Sequence, residues 1–368
     1  MEARGYWLAL SMIENLGPVT ARKLINIFKE PEAIFKASFE ELRSIDGIGE
    51  KRARAIKEFK RWEEVEGIIK KCRSLNIELI TQDEALYPEN LKTIPDPPLV
   101  IFTIGRPLPQ DRYAIAIVGS RKSTDYGRRV ADKLSRELAE LGITVVSGLA
   151  RGIDTVAHLG SLKAGGRTIG VFASGLDRPY PPENKTLIKK IVEHGGYVVS
   201  EFLPGVPPNK ENFPKRNRLI SGLSLGVIVV EAGSGSGALI TANYALEQGR
   251  EVFAVPGSIF SKNAEGTNNL IKNGARLLSG VDDILEELAP KLKGLTVNKS
   301  QQLKVLELSD GEKDIINILG DETMHIDEIA RKAGRPVHEV SSILLELELK
   351  GVVGQELGKR FYIIMRGG

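Results

Sequence analysis

One short segment of the chain combines the residue types that bind a strand of phosphodiesters. Residues 209–218 read NKENFPKRNR and hold four cations, one aromatic ring and one acid. Cations follow phosphates and a ring stacks on a base, a combination typical of single-strand binding proteins. The predicted contact residues are Lys210, Phe213, Arg216, Asn217 and Arg218. The alternatives are a core position for Phe213 and internal ion pairs for Arg216 and Arg218.

Three other stretches place glycines and polar residues immediately after apolar runs. They are VGSR at 118–121, SGLARGID at 147–154 and EAGSGSG at 231–237. Glycine turns that precede helices expose backbone N–H groups to phosphate, and the guanidinium of Arg121 adds a planar pair of donors. The predicted site residues in these turns are Gly119, Ser120, Arg121, Ser147, Gly148 and Gly235. The alternative is that such glycines only turn the chain, and the recurrence of three turns argues against it.

The sequence offers few groups for catalysis or metal binding. Its four histidines are far apart without metal-ligand spacing, and Cys72 is the single cysteine. Asp154 and His158 lie one helical turn apart, so capping and surface pairing explain them more simply than a catalytic triad with Ser147. The turn at 233–237 follows the fifth predicted strand and lacks the dinucleotide fingerprint. We therefore predict no catalytic residue, no metal site and no cofactor.

Composition and charge limit the class of protein. The 368 residues are 42% hydrophobic and 27% charged, which predicts two or three globular domains and excludes a largely disordered chain, a collagen or a coiled-coil rod. One cysteine fits a reducing compartment, and no apolar run approaches the roughly 18 residues of a membrane span. We expect a cytoplasmic protein without a signal peptide or a membrane partner.

Charge is distributed unevenly along the chain. Lys and Arg outnumber Asp and Glu by 15 to 12 in residues 1–73 and by 28 to 25 in residues 74–308, whereas residues 309–368 hold 8 against 11. A polyanionic partner would therefore prefer the first two parts.

The elements that must position the candidate residues follow an α/β pattern between residues 111 and 288. The predicted strands are Ala114–Val118, Thr144–Val146, Thr168–Phe172, Tyr197–Val199, Gly226–Val230 and Val252–Val255. The predicted helices lie near residues 127–140, 154–163, 183–193, 215–222, 239–248 and 267–273, which leaves Phe213 in a loop. This alternation predicts a Rossmann-like, doubly wound parallel sheet, with ligands at the carboxyl ends of its strands.

The first 75 residues contain an internal repeat. Residues 13–25, IENLGPVTARKLI, align with residues 45–57, IDGIGEKRARAIK, at an offset of 32. Each copy predicts a helix, a glycine turn and a second helix, and it resembles the helix-hairpin-helix motif of an all-α, SAM-like domain. The candidate accessory DNA contacts are Gly47, Gly49, Lys51 and Arg52. A structural or partner-binding role is the alternative.

The remaining segments are two predicted connecting segments and a C-terminal domain. Residues 76–110 are rich in proline and predict an extended connector rather than a core element, and residues 289–308 predict a linker. Residues 309–368 predict a winged helix. Its candidate recognition helix, Val337–Lys350, carries three glutamates, which favours a protein-interaction or regulatory role over DNA contact through Lys359 and Arg360.

The motifs of the central part occur in an order that resembles the bacterial DNA-processing protein A (DprA/Smf) family. The matching stretches are 87–88, 97–98, 118–121, 147–155, 173–177, 212–224, 231–232 and 255–257. The resemblance implies a protein that binds and protects single-stranded DNA and helps load the RecA recombinase, notably in natural transformation and homologous recombination, and that is not an enzyme. It implies a phosphate contact at Arg121, a basic contact at Lys210 and a stacking ring at Phe213.

The resemblance also implies a homodimer. The family's dimer face falls on LIKNGARL at 270–277, with Ile271 and Leu277 as contacts, for which ordinary core is the alternative.

Two enzyme classes remain as rival hypotheses. Rossmann-like nucleotide phosphoribohydrolases carry a catalytic glutamate after a glycine loop, and that position falls here on Thr241 or Ile240, neither of which can act as a carboxylate base. A helix-hairpin-helix repair nuclease needs clustered metal-binding carboxylates, which the sequence does not provide. The phosphoribohydrolase is kept as the alternative function.

Overall fold

The computed structural model describes residues 2–295, 309–320, 323–349, 352–356 and 358–363. The chain forms two compact units, residues 1–297 and 298–368. The first unit contains the N-terminal helices and the central sheet, and the second contains the C-terminal domain.

Six helices open the first unit. They are α1 Ala3–Ser11, α2 Pro18–Phe28, α3 Pro31–Lys36, α4 Phe39–Arg43, α5 Gly49–Lys57 and α6 Trp62–Ser74. The repeat is confirmed, because α2 and α5 each begin directly after a glycine turn. Gly47 and Gly49 have φ angles of +85° and +58°, a conformation that side chains with a Cβ rarely adopt.

A nine-stranded sheet forms the centre of the first unit. Its strands are β1 Glu78–Thr81, β2 Val100–Ile104, β3 Ala114–Val118, β4 Thr144–Ser147, β5 Thr168–Val171, β6 Tyr197–Ser200, β7 Gly226–Val229, β8 Glu251–Ala254 and β9 Arg276–Leu277. They lie in the order β1-β2-β6-β5-β4-β3-β7-β8-β9, and β3 to β9 are parallel. The chain therefore winds outward from β3 in both directions, which confirms the doubly wound prediction.

Helices cover both faces of this sheet. They are α7 Glu89–Lys92, α8 Asp125–Glu140, α9 Ile153–Lys163, α10 Lys185–Glu193, α11 Asn212–Gly222, α12 Gly237–Glu247, α13 Glu265–Lys272 and α14 Val281–Leu288. Because side chains alternate along a strand, Ile115 and Ile117 of β3 pack with α8, α9 and α14, while Ala116 and Val118 pack with α11 and α12. No helix in the described parts of the chain is long and apolar enough to cross a membrane.

The interpretation of residues 76–110 as a connector outside the core is wrong. This segment supplies β1 and β2, and β2 pairs antiparallel with β6, so both strands extend the central sheet. Leu79, Val100 and Phe102 are buried in the same apolar cluster as the N-terminal helices. The prolines flank these strands instead of interrupting them, so they do not remove ladder hydrogen bonds.

The second unit is a winged helix, as predicted. Its helices are α15 Asp310–Leu319, α16 Ile326–Ala333 and α17 Val337–Leu349. Its strands β10 Met324–His325, β11 Val353–Glu356 and β12 Arg360–Ile363 form a small antiparallel sheet in the order β10-β12-β11. Most of the predicted linker, residues 296–308, lies outside the described residues.

Candidate functional site

An open cleft lies where the winding of the sheet reverses. The chain turns to opposite sides after β3 and β7, and in such folds ligands bind outside the carboxyl ends of these strands. The cleft has a volume of about 770 Å³ and is bounded by the loops that follow both strands. Five basic and two acidic side chains line it, so its formal charge is positive.

The loop after β3 carries Arg121 into the cleft and is held by its neighbours. Asn263 donates a hydrogen bond to the carbonyl of Lys122 at 2.9 Å, and the backbone N–H of Ile153 donates to the carbonyl of Ser120 at 3.3 Å. Gly152, with φ +77°, passes so close to this loop that a Cβ would collide with the Ser120 carbonyl oxygen. The packing fixes the loop that presents Arg121, while the Arg121 side chain stays exposed.

A buried carboxyl group, that of Asp154, and a buried guanidinium, that of Arg216, lie at the floor of the cleft. Asp154 accepts hydrogen bonds from the backbone N–H groups of Gly148 at 3.2 Å and Ala150 at 3.3 Å. Burial raises the pKa of Asp154 to about 6, although the nearby Arg216 guanidinium acts to lower it. Arg216 donates to the carbonyls of Gly148 and, at 2.7 Å, Val171. Burial lowers the pKa of Arg216 to about 10, so it remains charged at neutral pH.

Phe213 is the aromatic centre of the site. Phe213 lies in the first turn of α11, so its prediction as a loop residue was wrong. The first turn of a helix tolerates proline, and α11 can therefore begin before Pro214. Phe213, Arg216 and Asn217 share one face of α11 because they are three and four positions apart. The Arg121 guanidinium lies 4.9 Å and the Arg216 guanidinium 5.7 Å from the centroid of the Phe213 ring.

Several cations of the cleft have no ion-pair or hydrogen-bond partner in the described part of the chain. The exposed side chains of Arg121, Lys122, Lys210 and Lys262 make no hydrogen bond or ion pair with another described residue, apart from the contact of Arg121 with the Phe213 ring. Unpaired cations grouped around an aromatic ring suit an anionic ligand that carries planar groups.

The glycine loop after β7 adds backbone donors. Ser236 caps α12, accepting a hydrogen bond from the backbone N–H of Ala238 at 3.3 Å. The space beside Gly235 and Gly237 is open, and both line the cleft. This loop and the start of α12 can therefore present backbone N–H groups to an anion.

The structure brings most of the predicted site residues together. Those that line the cleft are Gly119, Ser120, Arg121, Lys210, Phe213, Arg216, Asn217 and Gly235. Gly148 lines a smaller pocket that adjoins the cleft and shares Arg121, Ala150, Phe213 and Arg216 with it. A Cβ at Gly148 would collide with the guanidinium of Arg216, so a larger residue there would displace the Arg216 side chain.

Two predicted site residues do not reach the cleft. Ser147 is fully buried, and its hydroxyl donates to the carbonyl of Ile117 at 2.6 Å. Arg218 forms ion pairs with Glu201 and Asp96, the latter at 3.3 Å. Arg218 follows Arg216 by two positions on α11, which turns it about 200° away around the helix axis. Both residues therefore stabilise the fold in this structure.

The three residues considered as a catalytic triad have separate partners. Ser147 donates to a backbone carbonyl, Asp154 accepts from backbone N–H groups, and His158 shares a hydrogen bond of 2.7 Å with Thr168. Burial lowers the pKa of His158 to about 3, so its ring is neutral. Ile240 and Thr241, where a phosphoribohydrolase would need its glutamate, line the cleft without a carboxylate.

The N-terminal hairpins present fewer free cations than their sequence indicates. Arg52 donates to the carbonyls of Gly47 and, at 3.0 Å, Asn15, and thereby joins the two hairpins. Arg54 pairs with Glu50 at 2.8 Å. Lys51 is exposed and makes no such contact with a described residue, so it is the predicted accessory cation that stays free.

The predicted dimer contacts lie at the opposite end of the sheet from β1. Leu277 is 50% exposed on β9, the last strand of the sheet in the described residues, and Ile271 is half-buried on α13. An exposed apolar residue on an edge strand is suited to an interface between chains.

Sequence reasoning missed Lys262, Asn263 and Tyr180. Lys262 and Asn263 follow β8 and line the cleft, whereas Tyr180 follows β5 and lines the adjoining pocket. Their position in the sequence could have identified them, because each follows a parallel strand. All loops of this kind lie at the carboxyl edge of the sheet.

Comparison with known proteins gives consistent results along the chain. A family model described as DNA recombination-mediator protein A matches residues 78–289, a DprA winged helix domain matches residues 301–359, and a SAM-like helix-hairpin-helix tandem matches residues 8–61. Protein Smf of Synechocystis sp. is 34% identical over 396 residues, covering 97% of this chain and 98% of that protein. DNA processing protein DprA of Bacillus subtilis is 48% identical over 217 residues, covering 59% and 73%.

Two solved structures are similar. DNA processing protein A of Streptococcus pneumoniae superposes with a TM-score of 0.66 at 34% identity, covering 78% of this chain and 99% of that one. DNA processing protein A of Helicobacter pylori, whose structure concerns its single-stranded DNA binding mode, gives a TM-score of 0.51 at 29% identity over 58% and 96% of the two chains.

Proposed function

This chain belongs to the DNA recombination-mediator protein A family, and on that premise we propose that it binds single-stranded DNA in the cleft at the carboxyl edge of its central sheet. The observation that carries the proposal is the grouping of unpaired Arg121, Lys122, Lys210 and Lys262 around the half-buried Phe213 ring. Cations hold the phosphates, and Phe213 stacks on a base. A duplex hides its bases, so the ring gives the single strand an advantage.

Fluorescence anisotropy with a labelled oligo-dT and a matched duplex tests this function. We expect the wild-type protein to bind the single strand at least 5-fold more tightly, because stacking contributes about 1–3 kcal/mol per base. Equal affinity for the two DNA forms, or no binding of either, would overturn the proposal.

We also propose that the bound strand is handed to the RecA recombinase, as the family resemblance implies. The strand would lie in an open cleft, which leaves part of it accessible to a second protein. The measurement is RecA-dependent ATP hydrolysis on a strand already covered by single-strand binding protein. Addition of this protein should shorten the lag, and an unchanged lag would contradict the handover.

The buried Asp154 makes DNA binding depend on pH. Since its pKa is about 6, Asp154 is ionised at pH 7.5 and takes up a proton below pH 6, which removes a negative charge from the wall of the cleft. We therefore expect affinity for oligo-dT to rise by roughly 3- to 10-fold from pH 7.5 to pH 5.5. Asp154→Asn should bind as tightly at pH 7.5 as the wild type does at pH 5.5. If this variant kept the full pH dependence, another group would be responsible.

A homodimer through α13 and β9 is a further part of the proposal. Half of the Leu277 side chain is exposed on an edge strand, so a second copy could cover it. Leu277→Arg should convert the dimer to a monomer in sedimentation equilibrium, because the charge would lose solvation in the interface. A wild type that sediments as a monomer at micromolar concentration would contradict the dimer.

A further inference from the structure

The small pocket that adjoins the DNA cleft has the size of a phosphate group. Its volume is about 50 Å³, against about 770 Å³ for the cleft. One buried water needs roughly 10–15 Å³, so the pocket has room for a group as large as a few waters. A nucleobase or a sugar is too large for this space, whereas a phosphate group with its four oxygens matches it.

The pocket is lined by three guanidiniums, those of Arg121, Arg151 and Arg216. Arg216 is only 4% exposed, and its Nη2 makes no hydrogen bond with a described residue, because Nε donates to Asn217 and Nη1 to two carbonyls. Arg151 pairs with Glu183 through Nε, and neither of its Nη atoms has a partner among the described residues. The pocket therefore combines one buried guanidinium that has a free nitrogen with two exposed ones, and guanidinium N–H groups match the oxygens of a phosphate.

The charge around the pocket favours an anion with more than one negative charge. The described lining residues include no carboxylate. Two carboxylates lie nearby, that of Glu183 on Arg151 and that of Asp154, which interacts electrostatically with Arg121 and Arg216. Three guanidiniums against two carboxylates leave a net positive charge. A phosphate monoester carries about −1.5 to −2 at neutral pH and a phosphodiester about −1, so the monoester is attracted more strongly.

The small size of the pocket also distinguishes a chain end from the interior of a strand. An interior phosphate carries a sugar on both sides, and both sugars would have to stay outside the pocket. A terminal phosphate carries only one sugar, which can remain in the cleft. Arg121 and Phe213 line both the pocket and the cleft, so a strand whose base stacks on Phe213 has an end phosphate within reach of the pocket.

We propose that this pocket binds the terminal phosphate monoester of a single strand that lies in the cleft. The inference rests on the proposed binding of single-stranded DNA, and it adds recognition of a phosphorylated chain end to that site. A strand held in the cleft by specific contacts runs in one direction. Only one of its two ends, the 5′ or the 3′ end, therefore reaches the pocket.

Three short oligo-dT molecules of equal length test the pocket, one with a 5′-phosphate, one with a 3′-phosphate and one with hydroxyl groups at both ends. Each competes at pH 7.5 with an internally labelled strand, so that no label blocks an end. One phosphorylated oligomer should bind about 10-fold more tightly than the hydroxyl-ended one, the effect of roughly one hydrogen bond to a charged group, and the other should not. Equal affinity of all three, or an equal gain from both phosphates, would overturn the end pocket and leave single-strand binding intact. Failure of all three to bind would overturn both proposals.

Arg151 connects the end preference to the pocket, because it lines the pocket and does not line the cleft. Arg151→Gln should reduce the gain from the terminal phosphate to less than about 3-fold and leave the affinity for the hydroxyl-ended oligomer within about 2-fold of the wild type. Arg54→Gln is a matched control. The Arg54 side chain is 59% exposed against 62% for Arg151, and it also pairs with a glutamate, but it does not line the pocket. An Arg151→Gln protein that keeps the full gain would contradict the assignment.

Discussion

Replacing Arg121 and Lys210 together by alanine is expected to lower the affinity for a single-stranded oligo-dT about 100-fold, since a hydrogen bond to a charged group contributes about 1.5–3 kcal/mol. Both side chains line the cleft, and neither forms an ion pair with an acid among the described residues. Their loss therefore removes contacts to DNA without leaving a buried charge behind. The fold should be unaffected, and thermal unfolding should occur at the wild-type temperature.

The salt dependence gives this double variant a second readout. Each phosphate contact on a single strand contributes about −0.7 to the slope of log K against log salt, so the loss of two contacts should flatten the slope by about 1.4. Anisotropy titrations at several salt concentrations measure the slope. An affinity loss with an unchanged slope would contradict phosphate binding by these residues.

Lys51→Ala with Lys60→Ala provides the matched control. This pair also removes two exposed lysines, and neither makes an ion pair or hydrogen bond with a described residue. Lys51 lies on α5 and Lys60 in the loop between α5 and α6, and both are outside the cleft. We expect oligo-dT affinity to change by less than about 3-fold, which is the size of a long-range charge effect. A larger loss here than in the cleft variant would locate the DNA site on the hairpins.

Replacing Arg216 by methionine is expected to destabilise the folded protein by about 3–5 kcal/mol at pH 7.5, because the buried Asp154 carboxylate loses the nearby guanidinium charge that acts against the effect of burial on its pKa. The guanidinium also donates hydrogen bonds to the carbonyls of Gly148, which directly follows β4, and of Val171, which ends β5. Chemical denaturation monitored by circular dichroism measures the free energy of unfolding. A loss below 1 kcal/mol would show that the buried Arg216 guanidinium contributes little to the stability of the fold.

The loss in the free energy of unfolding caused by Arg216→Met should depend on pH. Burial already raises the pKa of Asp154 to about 6, and loss of the guanidinium raises it further. The unfolded chain then binds fewer protons than the folded one above about pH 4, so stability falls as pH increases. The difference between variant and wild type should thus be larger at pH 8 than at pH 5. In an Asp154→Asn background the same substitution should cost less, since no carboxylate remains to be neutralised.

The sheet and the main site residues could be predicted because local sequence determines them. Strands such as Ala114–Val118 are continuous apolar runs, and the glycine turns after them mark the edge where ligands bind. Arg121 was found in this way, whereas Phe213 was found from the four cations and one aromatic ring of residues 209–218. Strands β1 and β2 were missed because the many prolines on both sides of the run Val100–Ile104 are typical of an extended connector.

The errors within the site have geometrical causes. Arg216 and Arg218 have the same charge, and their helical spacing sends one into the cleft and the other to Glu201 and Asp96. Ser147 is the last residue of β4, and its buried hydroxyl donates to the carbonyl of Ile117 on the neighbouring strand β3 instead of reaching the cleft. Tyr180 and Lys262 belong to loops far apart in sequence, and only the assembled sheet brings those loops to one edge.

Photo-crosslinking measures the location of the strand most directly. An oligonucleotide in which thymines are replaced by 5-iodouracil is irradiated with the wild-type protein, and the modified peptides are identified by mass spectrometry. We expect cross-links on the peptides that contain Phe213 and Tyr180, and their loss when unlabelled oligo-dT competes. Cross-links confined to the N-terminal hairpins or the winged helix would contradict single-strand binding in the cleft.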